Sequence, residues 1–119
     1  MTKKTVKFDI FITNDAEADL EDIYDFLVEQ TGQKFAVNVL DKLSHAIKTL
    51  STFPNRGSCP RELLDLGIIE FRQLIFERYR VIYRVMGTLV SIHLIADGRQ
   101  DMHTLLTQRV LRLHRDRIQ

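Results

Sequence analysis

Val6-Lys7-Phe8-Asp9-Ile10-Phe11-Ile12 alternates apolar and polar positions before an apolar end, the pattern of a first β-strand. From Ala16 the period lengthens. Ala16, Leu20, Ile23, Tyr24, Leu27 and Val28 recur at helical spacing, with Asp15, Glu17, Asp19, Glu21, Asp22, Asp25 and Glu29 opposite. Asn14, with Glu17 three residues on, is placed to cap this helix in the manner of a capping box. Thr31-Gly32 closes it, and Ala36, Val39, Leu40, Leu43, Ala46, Ile47 and Leu50 predict a second helix. So short a joint folds the two into an antiparallel hairpin. Phe53-Pro54-Asn55-Arg56-Gly57 breaks the pattern, and Glu62 to Gly67 reads as one loose turn.

Three strands follow: Ile69 to Phe76, Tyr79 to Val85 and Leu89 to Ala96. Short joints at Glu77-Arg78 and Met86-Gly87-Thr88 make them an antiparallel meander. In the middle strand Tyr79, Val81, Tyr83 and Val85 share one face, and Arg80, Ile82 and Arg84 the other. A last helix from Asp101 to Leu113 carries the stripe Met102, Leu106, Val110, Leu113. Arg109, Arg112, Arg115 and Arg117 follow the helix dipole at its far end. The expected class is α+β: one domain over residues 1–119, an N-terminal strand and helical hairpin packed on an antiparallel sheet, with a C-terminal helix.

At 119 residues the chain supports one core. Its apolar runs fall far short of the ~20 residues of a membrane helix, and Met1-Thr2-Lys3-Lys4-Thr5 leads into a strand, not a signal region. With one cysteine, Cys59, no intramolecular disulfide forms, and a cytoplasmic setting is expected. Cys59 sits in a polar loop with no neighbour to activate it, and reads as a spectator thiol.

Charge changes the picture more than composition does. Residues 1–53 hold all 6 lysines and 9 acids; residues 54–119 hold all 11 arginines and 7 acids. Guanidinium forks suit carboxylates and phosphates, so an anionic partner is sought in the second part. Arg72, Arg80 and Arg84 fall in neighbouring strands and Arg99 just past the last one. They form either a concave basic surface for an acidic peptide or phosphate chain, or a set of solvated charges with local partners such as Glu70 or Glu77. His103 and His114, eleven residues apart, stand three turns from each other, too far for one metal ion. His93 reads as a packed or edge residue. No glycine loop for phosphate or serine elbow is present, and no cofactor or metal is expected.

Arg72-Gln73-Leu74, Tyr79-Arg80-Val81-Ile82-Tyr83-Arg84-Val85, Asp97-Gly98-Arg99-Gln100-Asp101, Leu105-Leu106 and Arg109-Val110-Leu111 resemble the signature of ParE-type toxins of the ParE/RelE superfamily. Ala18-Asp19-Leu20-Glu21-Asp22-Ile23 and Phe53-Pro54-x-x-Gly57 fit it too, so the likeness spans nearly the whole chain. It implies the toxin of a type II toxin–antitoxin pair, with growth inhibition, plasmid stabilization and a cognate antitoxin as partner. ParE-like members bind DNA gyrase and have no known catalytic residues. RelE-like members are ribosome-dependent mRNA endonucleases that need cations for the phosphorane-like transition state and groups to handle the proton. Arg80 and Arg99 match the superfamily's strand and post-strand arginines, and Arg72 matches a basic position one strand earlier. The second basic position falls at Leu74 or Gln73, and the tyrosine of RelE-like enzymes falls at Leu105. The resemblance therefore implies a gyrase inhibitor whose partner surface includes Arg72, Arg80, Arg84 and Arg99. The alternatives are an mRNA endonuclease acting on the ribosome through Arg72, Arg80, Arg99 and His103, or a toxin-fold protein without toxicity.

Overall fold

A computed structural model describes residues 7–118, with side chains as far as Leu113. Strand β1 (Asp9–Ile12) leads into helix α1 (Asn14–Thr31), helix α2 (Gln33–Lys48) and a 3-10 turn (Thr49–Ser51). A one-turn helix α3 (Arg61–Leu64) precedes β2 (Phe71–Phe76), β3 (Tyr79–Met86), β4 (Leu89–Asp97) and helix α4 (Met102–Ile118). Val6, expected in the first strand, lies outside the described residues, as do the side chains of His114, Arg115 and Arg117.

The meander forms as its hairpin signals require: β2 pairs antiparallel with β3, and β3 with β4. The sheet as a whole is mixed, not antiparallel. Its order is β1-β4-β3-β2, and β1 lies parallel to β4, Asp9 opposite Leu89 through Ile12 opposite Ile92. A parallel neighbour needs a long crossover, which the helical hairpin and meander between them supply. The cap of α1 is Thr13, not Asn14: the Thr13 hydroxyl accepts from the Ala16 backbone N at 3.1 Å, and Asn14 is already helical. Thr13 also donates its own backbone N–H to Ile92 O, so the residue leaving β1 opens the helix. Gly32, at φ 92°, lets α2 start one residue after α1 ends.

Three layers result. The helical hairpin covers one face of the sheet, where Leu27, Leu43, Ile47 and Leu50 meet Leu74, Val81, Tyr83 and Ile92. The opposite face, for which the arginines allowed a concave basic surface or a set of solvated charges, holds a second core beneath α3 and α4: Leu63, Phe71, Ile82, Leu94, Met102, Leu106 and Val110. Each such side chain taken out of water contributes about 1.5–3 kcal/mol. A register shift pairs Ile82 with Leu94 and Tyr83 with Ile92, leaving His93 as an extra residue in β4. The bulge sends both His93 and Leu94 toward α4, and the His93 ring meets Phe71 edge-on at 5.6 Å.

Candidate functional site

The strand alternation puts Arg80 beside Gln73 on the α4 side of the sheet, where α3 crosses. Arg80 Nη1 and Nη2 each donate to one Glu62 carboxylate oxygen at 2.8 Å, and Nε donates to Gln73 Oε1 at 2.8 Å. The fork is filled, and the Arg80 side chain is only 15% exposed. Hydrogen bonds from Arg80 hold the Glu62 carboxyl down at about 2, with the nearby His103 adding to the effect. The partner is therefore Glu62, from the loose turn, not Glu70 or Glu77. Nothing in the local pattern marked Glu62, because a one-turn helix has no periodicity to read. The alternation also separates Gln73 from Leu74: Gln73 faces Arg80, while Leu74 is buried in the hairpin core.

Arg99 follows directly. Gly98 approaches so closely that an added Cβ would lie 3.4 Å from Arg80 Cδ. Arg99 turns away from Arg80 toward Asp97, at 3.0 Å, and is 73% exposed. Arg78 reaches the same Asp97 oxygen at 3.3 Å and lies over the Tyr79 ring, 5.4 Å from its centroid. Hydrogen bonding from Arg99 lowers the Asp97 pKa despite partial burial. His103 sits on the exposed first turn of α4, which Asp101 caps by accepting from Thr104 N and Thr104 Oγ1. Arg80, Arg99 and His103 thus occupy one end of the sheet.

Arg72 and Arg84 do not join them. Arg72 lies on the helical-hairpin face, opposite to Arg80, and donates to the backbone carbonyls of Asn55 at 3.2 Å and Gly57 at 2.6 Å. There the Tyr83 hydroxyl donates to Pro54 O at 2.8 Å and accepts from Gly57 N at 3.1 Å. An added Cβ at Gly57 would fall 2.3 Å from Gln73 O and 2.7 Å from the Tyr83 hydroxyl. That close approach is the physical content of Phe53-Pro54-x-x-Gly57. Arg84 is 8% exposed, with its guanidinium carbon 5.7 Å from the Phe71 ring centroid, inside the layer and not on an accessible surface.

The pairing of Arg109 with Asp19 escaped the sequence reading, whereas His93 is packed, as its place in the strand predicts. Arg109 of α4 grips both Asp19 oxygens at 3.1 Å and also donates to His93 O, while Asp19 accepts from Ile95 N. This pair closes the edge of β4 past the end of β1 and ties α4 to α1. His93 is 8% exposed, its Nε2 lacks a hydrogen-bond partner among the described residues, and burial with Arg84 and Arg109 nearby lowers its pKa to about 4. Burial raises the Cys59 pKa, which suits an inert thiol. Among the described residues no three histidine, cysteine or acidic side chains gather where a metal ion would fit. No helix there is long and apolar enough to cross a membrane.

Residues 10–102 match the family described as the ParE toxin of the type II toxin–antitoxin system parDE. The chain is similar in structure to the chromosomal ParDE system of P. aeruginosa: TM-score 0.65, 25% identity, 76% of this chain and 96% of that one. It shares its fold with the RelBE2 toxin–antitoxin complex of Mycobacterium tuberculosis: TM-score 0.53, 22% identity, 81% and 97% covered. No curated protein sequence matches the chain significantly.

Proposed function

The chain belongs to the ParE toxin family of type II toxin–antitoxin systems, and on that premise we propose that it arrests growth by binding DNA gyrase, not by cutting RNA. Its regulator on this reading is a cognate antitoxin, as the toxin–antitoxin complexes among its structural neighbours support.

The observation that carries the choice of mechanism is the state of Arg80. A nuclease of this fold needs a cation free to meet the charge that builds on the phosphate in the transition state. Here that arginine already holds a carboxylate in bidentate geometry and a side-chain amide. Bringing RNA phosphate to it also means bringing it to the Glu62 anion. Arg72, the second cation a nuclease would use, faces the other side of the sheet and holds backbone carbonyls. Leu105 stands where the enzymes place a tyrosine, and the Glu62 carboxyl, held near 2, is a weak base at neutral pH.

Cleavage of ribosome-bound mRNA by the wild type, Arg80→Ala and Glu62→Ala tests this directly. None of the three is expected to cut above background. Cleavage by the wild type that is lost in Arg80→Ala, or that rises when Glu62→Ala releases Arg80, would establish the endonuclease instead.

A further inference from the structure

We propose that the depression between the start of α1 and the middle of α4 is a binding site for a phosphate dianion, free or as the monoester of a small molecule. The proposal goes beyond the toxin reading and does not depend on it.

The depression encloses about 310 Å³, at the small end of ligand pockets, with room for a phosphate and a body attached to it. Asn14 and Asp15 line it from α1, His93 from the bulge of β4, and Arg109, Arg112 and Leu113 from α4. A helix start leaves several N–H groups unmatched. Here Thr13 gives its own to Ile92 O, and Ala16 gives its own to the Thr13 hydroxyl. Among the described residues, those of Asn14 and Asp15 remain, at the positive end of an 18-residue helix. His93 is an independent sign of a ligand. It is only 8% exposed, and its Nε2 has no hydrogen-bond partner among the described residues. A buried ring nitrogen left unmatched costs stability unless a group from outside meets it.

The site already holds an anion of its own. Arg112 donates to Asp15 Oδ2 at 2.9 Å, and Arg109, gripped by Asp19, stands 3.8 Å from the same oxygen. Asp15 thus shows which ligand chemistry these groups accept. Arg112 is 54% exposed and Asp15 40%, so water weakens their pair and a stronger anion displaces it. A carboxylate from outside would gain nothing over the one in place, and neither would the singly charged phosphodiester of nucleic acid. A phosphate dianion brings about twice the charge and three acceptor oxygens. Those oxygens suffice for Arg112, the free N–H groups of α1 and His93 Nε2 together. Leu113 offers an apolar surface to the body of an ester. Arg84 of β3, Arg109 of α4 and Asp15 of α1 are the charges that act on His93. Burial and the two arginines keep the ring neutral, and a dianion beside it would favour the imidazolium.

The test is calorimetric titration of the purified chain, in a phosphate-free buffer, with inorganic phosphate, ribose 5-phosphate and ribose in turn. Both phosphates are expected to bind, and ribose is not. Tighter binding of the ester makes a monoester the occupant; equal affinities make it free phosphate. Arg112→Ala is expected to weaken binding roughly tenfold. Asp15→Asn removes the competing anion and is expected to tighten binding roughly threefold. Arg56→Ala, which loses only a surface bond to the Thr49 hydroxyl, should bind as the wild type does. Tighter binding in Asp15→Asn cannot come from a misfolded chain. In NMR spectra of the wild type, the His93 pKa should rise from about 4 when phosphate is added. No binding of either phosphate, or binding that Arg112→Ala and Asp15→Asn both leave within about twofold of the wild type, would overturn the site. A His93 titration that phosphate does not move would overturn it too. Each of these outcomes leaves the toxin reading untouched.

Discussion

Arg80 packs against Gly98 and Arg99 follows it in the chain, yet the fold treats the two arginines in opposite ways. Arg80 is 15% exposed and its whole fork is occupied by Glu62 and Gln73. Arg99 is 73% exposed and shares one carboxylate with Arg78. The first belongs to the architecture, together with Arg72 and Arg109; the second is on display with Arg78. A count of positive charge does not separate the two kinds, because what decides availability is which carboxylate or carbonyl has already been met inside the chain.

The embedded kind should break hardest at Gly57, whose carbonyl Arg72 holds. Gly57→Ala drives a methyl group into Gln73 O and the Tyr83 hydroxyl, neither of which has room to give. A loss of about 3 kcal/mol or more is expected, read as a lower urea midpoint. Arg109→Ala comes next. It leaves Asp19 partly buried without its cation and unties α4 from α1, for a loss of about 2–4 kcal/mol in the same measurement. An unchanged midpoint in Arg109→Ala would mean that the pair does not hold the layers together.

Acid should attack the same embedded groups in two windows. The folded state keeps His93 neutral down to about 4, whereas an unfolded histidine takes its proton near 6.5. The unfolded chain therefore binds more protons between those values, and stability falls as pH drops from about 6.5 to 4, by on the order of 2–3 kcal/mol. Glu62 is depressed to about 2, so its contribution is complete above about 4.5 and fades as pH falls toward 2. Thermal melts across pH should therefore show His93→Gln flattening the upper window and Glu62→Gln only the lower one. A profile that His93→Gln leaves unchanged would remove His93 from the account.

The smallest stability effect belongs to the displayed kind. Arg99→Ala should leave the urea midpoint where the wild type has it, since an exposed pair contributes little. The comparison sharpens if that same variant weakens antitoxin binding while Arg80→Ala, which costs stability, does not.

Much of the fold was legible in the chain. The 3.6-residue stripes of α1 and α2 and the alternation from Tyr79 to Val85 each bury the face they marked, because each pattern repeats over enough residues to fix a face. The parallel seat of β1 was not legible: Asp9–Ile12 is four residues long, and its neighbour is chosen by how the whole chain packs. The second core was hidden for a related reason. Arg80, Ile82 and Arg84 read as a polar face of β3, yet Phe71, α3 and α4 close over it. At the candidate site the arginines were visible and their partners were not. Glu62 is 18 residues from Arg80, and Asp19 is 90 from Arg109, so only tertiary packing joins them.

The central claim, a toxin that acts by binding and not by cutting, is tested most directly by DNA supercoiling with purified gyrase and increasing amounts of the wild-type chain. Supercoiling is predicted to fall with dose and to recover when the antitoxin is added, while mRNA on translating ribosomes stays intact. Full supercoiling at every dose, alongside codon-dependent cleavage of that mRNA, would contradict it.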